Sequence, residues 1–279
     1  PLVVVDVQRG GPSTGLPTKT EQSDLNQALY GRNGECPMVV IAASSPSDCF
    51  HYAFMAGKIA MEHMTPVMLL SDGFIANGSE PWKIPSMADY PAIVPPIVEP
   101  REGEEFLPYA RNEKLARGWA FPGKAGLQHR IGGLEKDHLR GTISHDPKNH
   151  QEMVTTRKRK VELVAEELPE LKVFGAEEAD VLVVGWGGTR GHLHSAVQQL
   201  QEEGKSVAHL HFNYIYPMQK GVADILKRYK RIVVCELNEG QFANYLRQQF
   251  TDVVIESYGK TEGQPFTVIE IKEKVNSML

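Results

Sequence analysis

The chain is poor in cysteine, has no surplus of positive charge and contains no long apolar run. Its three cysteines, Cys36, Cys49 and Cys235, lie far apart and form no CxxC pair. A 4Fe–4S cluster takes four thiolates, so this chain cannot hold one by itself. The spacing gives no disulfide framework either. Free cysteines are mostly buried, and reduced thiols fit a cytoplasmic protein. Lys and Arg number 30 against 35 Asp and Glu, a net charge of −5. Binding to nucleic acid or to an anionic membrane normally leaves a basic stripe, so neither is expected. No stretch approaches the roughly 20 apolar residues of a membrane helix. There is no initiator methionine and no signal-peptide layout, because Pro1 runs straight into Leu2-Val3-Val4-Val5. A buried-strand run at that place predicts a chain cut inside a domain, with residues upstream. What is present is an ordinary globular balance, 41% hydrophobic and 23% charged. The length suits one large domain or two modest ones.

Hydrophobic patterning predicts alternating strands and helices. Leu2–Val7 reads as a central strand and Thr20 to about Leu29 as a helix with Thr20 as its cap. Met38–Ala42 is a second strand, Ser47 to about His63 a helix started by Pro46, and Pro66–Leu70 a third strand. That order implies parallel pairing in a doubly wound α/β sheet. Residues 77–146 are rich in Pro and Gly and show little periodicity. A structureless stretch of that length is unusual in a compact domain. Its aromatics, among them Trp82, Tyr109 and Trp119, argue against disorder. A wrapping connector or functional loop region is expected. Asp146-Pro147 then opens a charged helix to about Leu168. A second series follows, with strands at Asp180–Val184, Val207–His211, Ile232–Cys235 and Val253–Ile255. Helices are expected at Arg190–Glu203, Met218–Tyr229 and Gln241–Phe250, completing a second small parallel sheet.

The most informative segment is Val5-Asp6-Val7-Gln8-Arg9-Gly10-Gly11-Pro12-Ser13-Thr14-Gly15-Leu16-Pro17-Thr18. It leaves the carboxyl end of the first strand, where open α/β sheets place ligands. Gly10, Gly11 and Gly15 let a ligand approach the backbone, Pro12 and Pro17 stiffen the loop, and Ser13, Thr14 and Thr18 offer hydroxyls. Arg9 offers a permanent charge and a planar fork that matches a carboxylate. A small anionic substrate would suit such a loop, and so would a plain Gly/Pro turn carrying a surface arginine. It is not a Walker loop, because no Gly-Lys-Ser/Thr follows.

This segment resembles the alpha subunit of 2-oxoacid:ferredoxin oxidoreductases, which carry an xRGGPSTGxPT stretch. The resemblance continues through Glu21-Gln22-Ser23-Asp24-Leu25 and Leu70-Ser71-Asp72. It resumes at Pro108-Tyr109-Ala110-Arg111, Trp119-Ala120-Phe121-Pro122-Gly123 and His129 to Asp137, and then at Asp146-Pro147-Lys148-Asn149-His150. It covers nearly the whole chain, and its middle block is most similar to members that use 2-oxoglutarate. It implies parallel doubly wound sheets in three parts. Residues 1–98 would be the C-terminal part of a domain binding the thiamine pyrimidine. Residues 99–175 would be a connector with a long helix, and residues 176–279 a transketolase C-terminal-like domain.

The resemblance also implies a reaction. It is the oxidative decarboxylation of 2-oxoglutarate to succinyl-CoA and CO2, with electrons passing to ferredoxin. Pyruvate or a branched-chain 2-oxoacid is the alternative substrate. Arg9 would bind the 2-oxoacid carboxylate and Thr18 would help to hold the substrate. Gly10, Gly11, Ser13, Thr14 and Gly15 would shape the loop. Thiamine diphosphate, Mg2+ and a 4Fe–4S cluster would be held mostly by upstream residues and a beta subunit, with coenzyme A as cosubstrate. The upstream glutamate that activates thiamine in the family is not in this sequence, so the chain alone is expected to be inactive. The implied partners are the beta subunit and ferredoxin, with gamma and delta subunits as further candidates, in a hetero-oligomer.

Other segments carry weaker signals. Gly185-Trp186-Gly187-Gly188-Thr189-Arg190-Gly191 follows a strand and opens a helix, where backbone N–H groups can cradle phosphate. Arg190, however, occupies the third glycine of the dinucleotide fingerprint, and His209-Leu210-His211 stands where the ribose-binding acid belongs. Substitution of Gly188 is therefore expected to leave kcat/KM nearly unchanged. Tyr214-Ile215-Tyr216-Pro217 is expected as a proline-containing loop, and Glu236-Leu237-Asn238-Glu239-Gly240-Gln241 as a polar turn capping the next helix. Arg130 or Arg101 could meet a second substrate carboxylate, although most arginines are solvated. Arg157-Lys158-Arg159-Lys160 reads as a solvated helix face. His209 and His211 would share one strand face, with no third ligand for a metal.

Overall fold

A computed structural model describes all of residues 1–279 and contains two mainly parallel sheets. The first is built from β1 (Leu2–Gln8), β2 (Val39–Ala42), β3 (Pro66–Asp72) and, from far along the chain, β7 (Tyr214–Tyr216), in the order β1-β3-β2-β7. β1 and β2 both run parallel to β3. β7 is antiparallel to β2, pairing Tyr216 with Val40 and Tyr214 with Ile41. The expected proline loop at 214–217 is therefore a strand, clamped to the other sheet by Ala42 N–H donating to Asn213 O (2.7 Å) and Asn213 Nδ2 donating back to Ala42 O (2.8 Å).

The second sheet comprises β4 (Val173–Phe174), β5 (Val181–Trp186), β6 (Val207–Phe212), β8 (Arg231–Glu236) and β9 (Ile255–Gly259), ordered β4-β6-β5-β8-β9. Only β4 is antiparallel. Every residue of β5 is buried, as a central strand covered on both faces requires. The largest hydrophobic cluster draws on both sheets, joining Val40 and Leu70 to Trp186, Phe212 and Phe242.

The helices follow local chemistry. α2 (Pro46–Glu62) starts with Pro46 in its first turn and Ser45 accepting from Asp48 N–H. α4 (Pro147–Glu162) starts at Asp146, which accepts from Lys148 N–H (2.7 Å) and Asn149 N–H (3.2 Å). None of the helices is long and apolar enough to cross a membrane. Residues 77–146 wrap the first sheet with almost no regular structure. They are pinned by contacts such as the Trp119 indole N–H on Met61 O (2.7 Å).

Four expectations need correction. β1 is an edge strand, not a central one, and Leu2, Val5 and Val7 are each at least half exposed. Its apolar, β-branched run is what two-sided burial selects, but this chain covers neither face fully. α1 is short (Leu25–Tyr30) and Asp24, not Thr20, precedes it. Met218–Tyr229 contains only the short α6 (Val222–Leu226), because Gly221 breaks the backbone at φ 81°. The basic run on α4 is not uniformly solvated. Lys158 and Arg159 face water, whereas Arg157 and Lys160 are half-buried against the wrapping segment.

Candidate functional site

The Gly/Pro loop closes on itself beyond the carboxyl end of β1. Gly10 N–H donates to Lys19 O (2.9 Å), Leu16 N–H to Gly10 O (2.9 Å) and Lys19 N–H to Leu16 O (3.2 Å). Gly15 sits at φ 48°, and a Cβ there would lie 2.2 Å from Gly10 O, so the closure admits only glycine. Ser13 and Thr18 also hold positive φ, 57° and 65°. That conformation is an outlier for β-branched Thr18, with a cost of about 1–3 kcal/mol.

Arg9 points back over this loop. Its Nη1 donates to Gly10 O (3.2 Å) and Thr14 O, and its Nη2 to Ser13 O (2.9 Å). Three of its five N–H donors are thereby engaged, leaving Nε–H and one Nη2–H. No carboxylate forms an ion pair with it, in a chain where most other cations have one. Its charge reaches Asp24, whose carboxyl burial pushes up while Arg9 pulls it down. The hydroxyls of Ser13, Thr14 and Thr18 form no hydrogen bond within the chain, and all three residues are exposed. None of the principal cavities borders residues 9–18. The loop thus presents an unpaired cation, free hydroxyls and a strained backbone on an open surface.

Just past the loop, residues 20–24 form a strap that ties both sheets together. Buried Thr20 donates to Asp72 Oδ1 (2.9 Å), and the same oxygen accepts from Phe74 N–H (2.8 Å) and Ile75 N–H (3.1 Å). This is where Thr20 acts, in place of the helix cap expected for it. Burial raises the Asp72 carboxyl, while these hydrogen bonds hold it down. Gln22, fully buried, bridges to the second sheet. Its Nε2 donates to Trp186 O (2.8 Å), its Oε1 accepts from Leu237 N–H (2.9 Å) and its N–H donates to Leu237 O (2.8 Å). Asn238 Nδ2 donates to Gln22 O (2.8 Å), and Gln241 Nε2 to Ser23 O (2.8 Å).

The turn at 236–241 also caps α7 (Gln241–Gln249). Asn238 Oδ1 accepts from Gly240 and Gln241 N–H, and the buried Glu236 carboxylate accepts from Phe242 N–H (2.8 Å), Ala243 N–H (3.0 Å) and the Trp186 indole (3.3 Å). Burial pushes the Glu236 carboxyl up, against the pull of those donors. The capping role expected of this turn is thus present, and so is a docking role that only its partner strap reveals.

The glycine turn after β5 is occupied by protein. A Cβ on Gly188 would lie 2.1 Å from Asp72 Oδ2, and one on Gly187, already at φ 53°, would lie 2.9 Å from Gln22 Nε2. No room for a nucleotide phosphate remains, and a side chain at Gly188 would collide with Asp72. His209 and His211 share a strand face with rings 5.6 Å apart. His211 Nε2 donates to Gly187 O (3.0 Å), and burial pushes His209 down to about 3, so the pair stays neutral in the core. Arg101 pairs with Glu104 (3.4 Å) in solvent. Arg130 lines a cavity beside Met64, at the amino end of β3 and so at the opposite end of the sheet from Arg9. Neither supplies a second cation to the loop. Cys36 is exposed, Cys49 partly buried and Cys235 buried, and no three His, Cys, Asp or Glu side chains converge as a metal site. The residues present do not fit an iron–sulfur cluster or a carboxylate-held Mg2+.

Residues 1–145 match the family model described as pyruvate flavodoxin/ferredoxin oxidoreductase, thiamine diphosphate-binding, and residues 179–271 match pyruvate:ferredoxin oxidoreductase core domain II. The chain is 48% identical over its whole length to 2-oxoglutarate oxidoreductase subunit KorA of Mycobacterium tuberculosis, covering 42% of that protein. It is 33% identical over 92% of its length to subunit alpha of 2-oxoacid:ferredoxin oxidoreductase 1 of Aeropyrum pernix, covering 40% of that protein. Its whole length superposes, with a TM-score of 0.93 and 33% identity, on 48% of a chain of 2-oxoglutarate:ferredoxin oxidoreductase from Magnetococcus marinus, solved with 2-oxoglutarate, coenzyme A and succinyl-CoA bound. The chain therefore spans less than half the length of these relatives.

Proposed function

The chain belongs to the pyruvate flavodoxin/ferredoxin oxidoreductase family, and on that premise we propose that it is part of the alpha subunit of a 2-oxoacid:ferredoxin oxidoreductase whose loop 9–18 docks the 2-oxoacid carboxylate. The reaction is oxidative decarboxylation, with coenzyme A accepting the acyl group and ferredoxin the electrons. The substrate read from the relatives' names is 2-oxoglutarate. The observation that carries this reading is Arg9, a cation without a carboxylate partner and with two free donors, set in a strained loop with three unpaired hydroxyls.

Arg9 has a double task. Three of its donors hold the loop carbonyls, and the remaining Nε–H and Nη2–H offer a bidentate edge to a carboxylate. The Thr18 hydroxyl adds a contact, and Gly15 keeps the backbone low enough for approach. Because the carboxylate leaves as CO2, the anchor must orient the substrate more than it stabilises it. A second carboxylate, as in 2-oxoglutarate, takes its cation from another surface. Thiamine diphosphate, when bound, supplies the carbanion-stabilising chemistry. None of the principal cavities borders the loop, so thiamine would lie in a cleft completed by other polypeptide, and the iron–sulfur cluster and Mg2+ on other residues. The exposed apolar face of β1 suits such a covering surface, with a beta subunit as the partner.

In the complete complex, Arg9→Ala should raise KM for the 2-oxoacid and lower kcat/KM more than tenfold, from a lost charged hydrogen bond of about 1.5–3 kcal/mol. Thr18→Ala should have a smaller effect of the same kind. Wild-type kinetics for Arg9→Ala would remove this residue from the substrate site.

A further inference from the structure

A second cluster of cations surrounds a cavity of about 420 Å³ at the other end of the first sheet. Arg111 and Arg117 reach it from the wrapping segment, and Arg157 and Lys160 from one face of α4. Lys160 Nζ donates to Met64 O (2.8 Å), two residues before β3 begins, while the Arg9 loop lies past the end of that strand. At about 3.3 Å per residue, β3 separates the two places by roughly 20 Å.

The cluster has too little negative charge. Arg111 donates to Tyr109 O and His138 O (3.2 Å each), and Arg117 stacks over the Tyr109 ring at 4.2 Å. Neither these two arginines nor Lys160 has a carboxylate ion-pair partner, although acidic residues outnumber basic ones. Glu135, the one acid lining the cavity, is already shared between Arg157 (3.3 Å) and His150. Burial, and then Arg117, Arg111 and Arg157, push Lys160 down to about 8. Like charges are thus gathered without a counter-ion, at an electrostatic cost.

The backbone is strained at the same place. Only four non-glycine residues of the chain adopt positive φ. Two are Ser13 and Thr18 of the loop described above. The other two, Met64 (φ 44°) and Leu115 (φ 56°), line this cavity. Strained backbone gathers at ligand sites because the surroundings over-determine it there. At the rim, the amides of Gly132 and Gly133 donate no backbone hydrogen bond, and a Cβ on either glycine would meet nothing.

We propose that this cavity binds a small phosphate-bearing anion, held by Arg111, Arg117 and Lys160 with the Gly132–Gly133 amides at its mouth. A phosphate suits the cluster better than a carboxylate, because its oxygens can take donors arriving from two chain segments on different sides. Apolar walls from Leu115 and Met153 leave room for an organic portion.

Calorimetric titration of the intact protein at matched ionic strength, with inorganic phosphate, pyrophosphate, AMP and ADP in turn, tests this. Saturable binding of at least one is expected, weakened about tenfold or more by Arg117→Gln and by Lys160→Met. AMP or ADP binding more tightly than pyrophosphate would mark a nucleotide as the source, and equal affinities the inorganic ion. Arg9→Ala should leave this binding unchanged, which separates it from the substrate reading. If Arg117→Gln does not fold, Arg117→Lys keeps the charge without the fork and should still weaken binding. No saturable binding of any of the four, or binding indifferent to these substitutions, overturns the proposal and leaves the cations to an acidic segment of a partner subunit.

Discussion

Replacing Gln22 with alanine should lower the unfolding free energy by about 2–5 kcal/mol. The side chain is fully buried between the sheets and makes two hydrogen bonds, to Trp186 O and from Leu237 N–H. Without it, Leu237 N–H is left buried without an acceptor, at about 1–3 kcal/mol. Trp186 O keeps the Thr189 hydroxyl at 2.8 Å, so its loss is smaller, about 0.5–1.5 kcal/mol. The deleted Cγ methylene adds about 0.8 kcal/mol. Urea unfolding monitored by tryptophan fluorescence is the assay, because buried Trp186 adjoins the broken contact. Gln22→Met refills the space but cannot restore both bonds, so it should recover only the packing part. The reasoning is refuted if Gln22→Ala falls within about 0.5 kcal/mol of wild type.

Three further outcomes follow from named contacts. Gly188→Ala should destabilise by about 2 kcal/mol or more, since its Cβ would meet Asp72 at 2.1 Å. A wild-type melting temperature would contradict this. Gly15→Ala should raise KM for the 2-oxoacid and also lower the melting temperature, because its Cβ would lie 2.2 Å from Gly10 O at φ 48°. Unchanged KM counts against the loop's role. Lys160, at about 8 in the folded protein and near 10.4 when unfolded, is less protonated in the native state between those values. Its stability contribution therefore rises as pH climbs through that window, by at most ~3 kcal/mol. Urea midpoints at pH 7.5 and pH 9.5 should show the rise in wild type and a flatter response in Lys160→Met. Identical slopes in the two proteins would show that Lys160 is not held down by its neighbours.

Features set by neighbouring residues were legible in the sequence, and features set by distant ones were not. The loop at 9–18 could be read because Gly15, Pro12 and Pro17 dictate backbone shape locally. The start of α4 could be read because Asp146 and Pro147 sit side by side. β1 misled because a β-branched run signals apolar surroundings without saying which polypeptide provides them. β7 escaped because three residues ending at Pro217 give no period, and its partner strand lies over 170 residues earlier. α8 (Val268–Asn276) was missed although Thr267 and Glu270 form a capping box that sequence inspection can find. Both halves of the Gln22 clasp stood out as motifs, but their meeting, 215 residues apart, is a tertiary fact. Arg157 and Lys160 are one helical turn apart, a hint that they share a face. Arg111 and Arg117, which complete the cavity, come from a stretch with no pattern to place them.

The most direct measurement is a crystal structure of the complete complex with a 2-oxoacid bound. The expected result is the substrate carboxylate within hydrogen-bonding distance of the free Nε and Nη2 edge of Arg9, with the Thr18 hydroxyl beside it. A carboxylate held by other residues, with the Arg9 guanidinium turned only to the carbonyls of Gly10, Ser13 and Thr14, would show that this arginine shapes the loop and does not anchor the substrate.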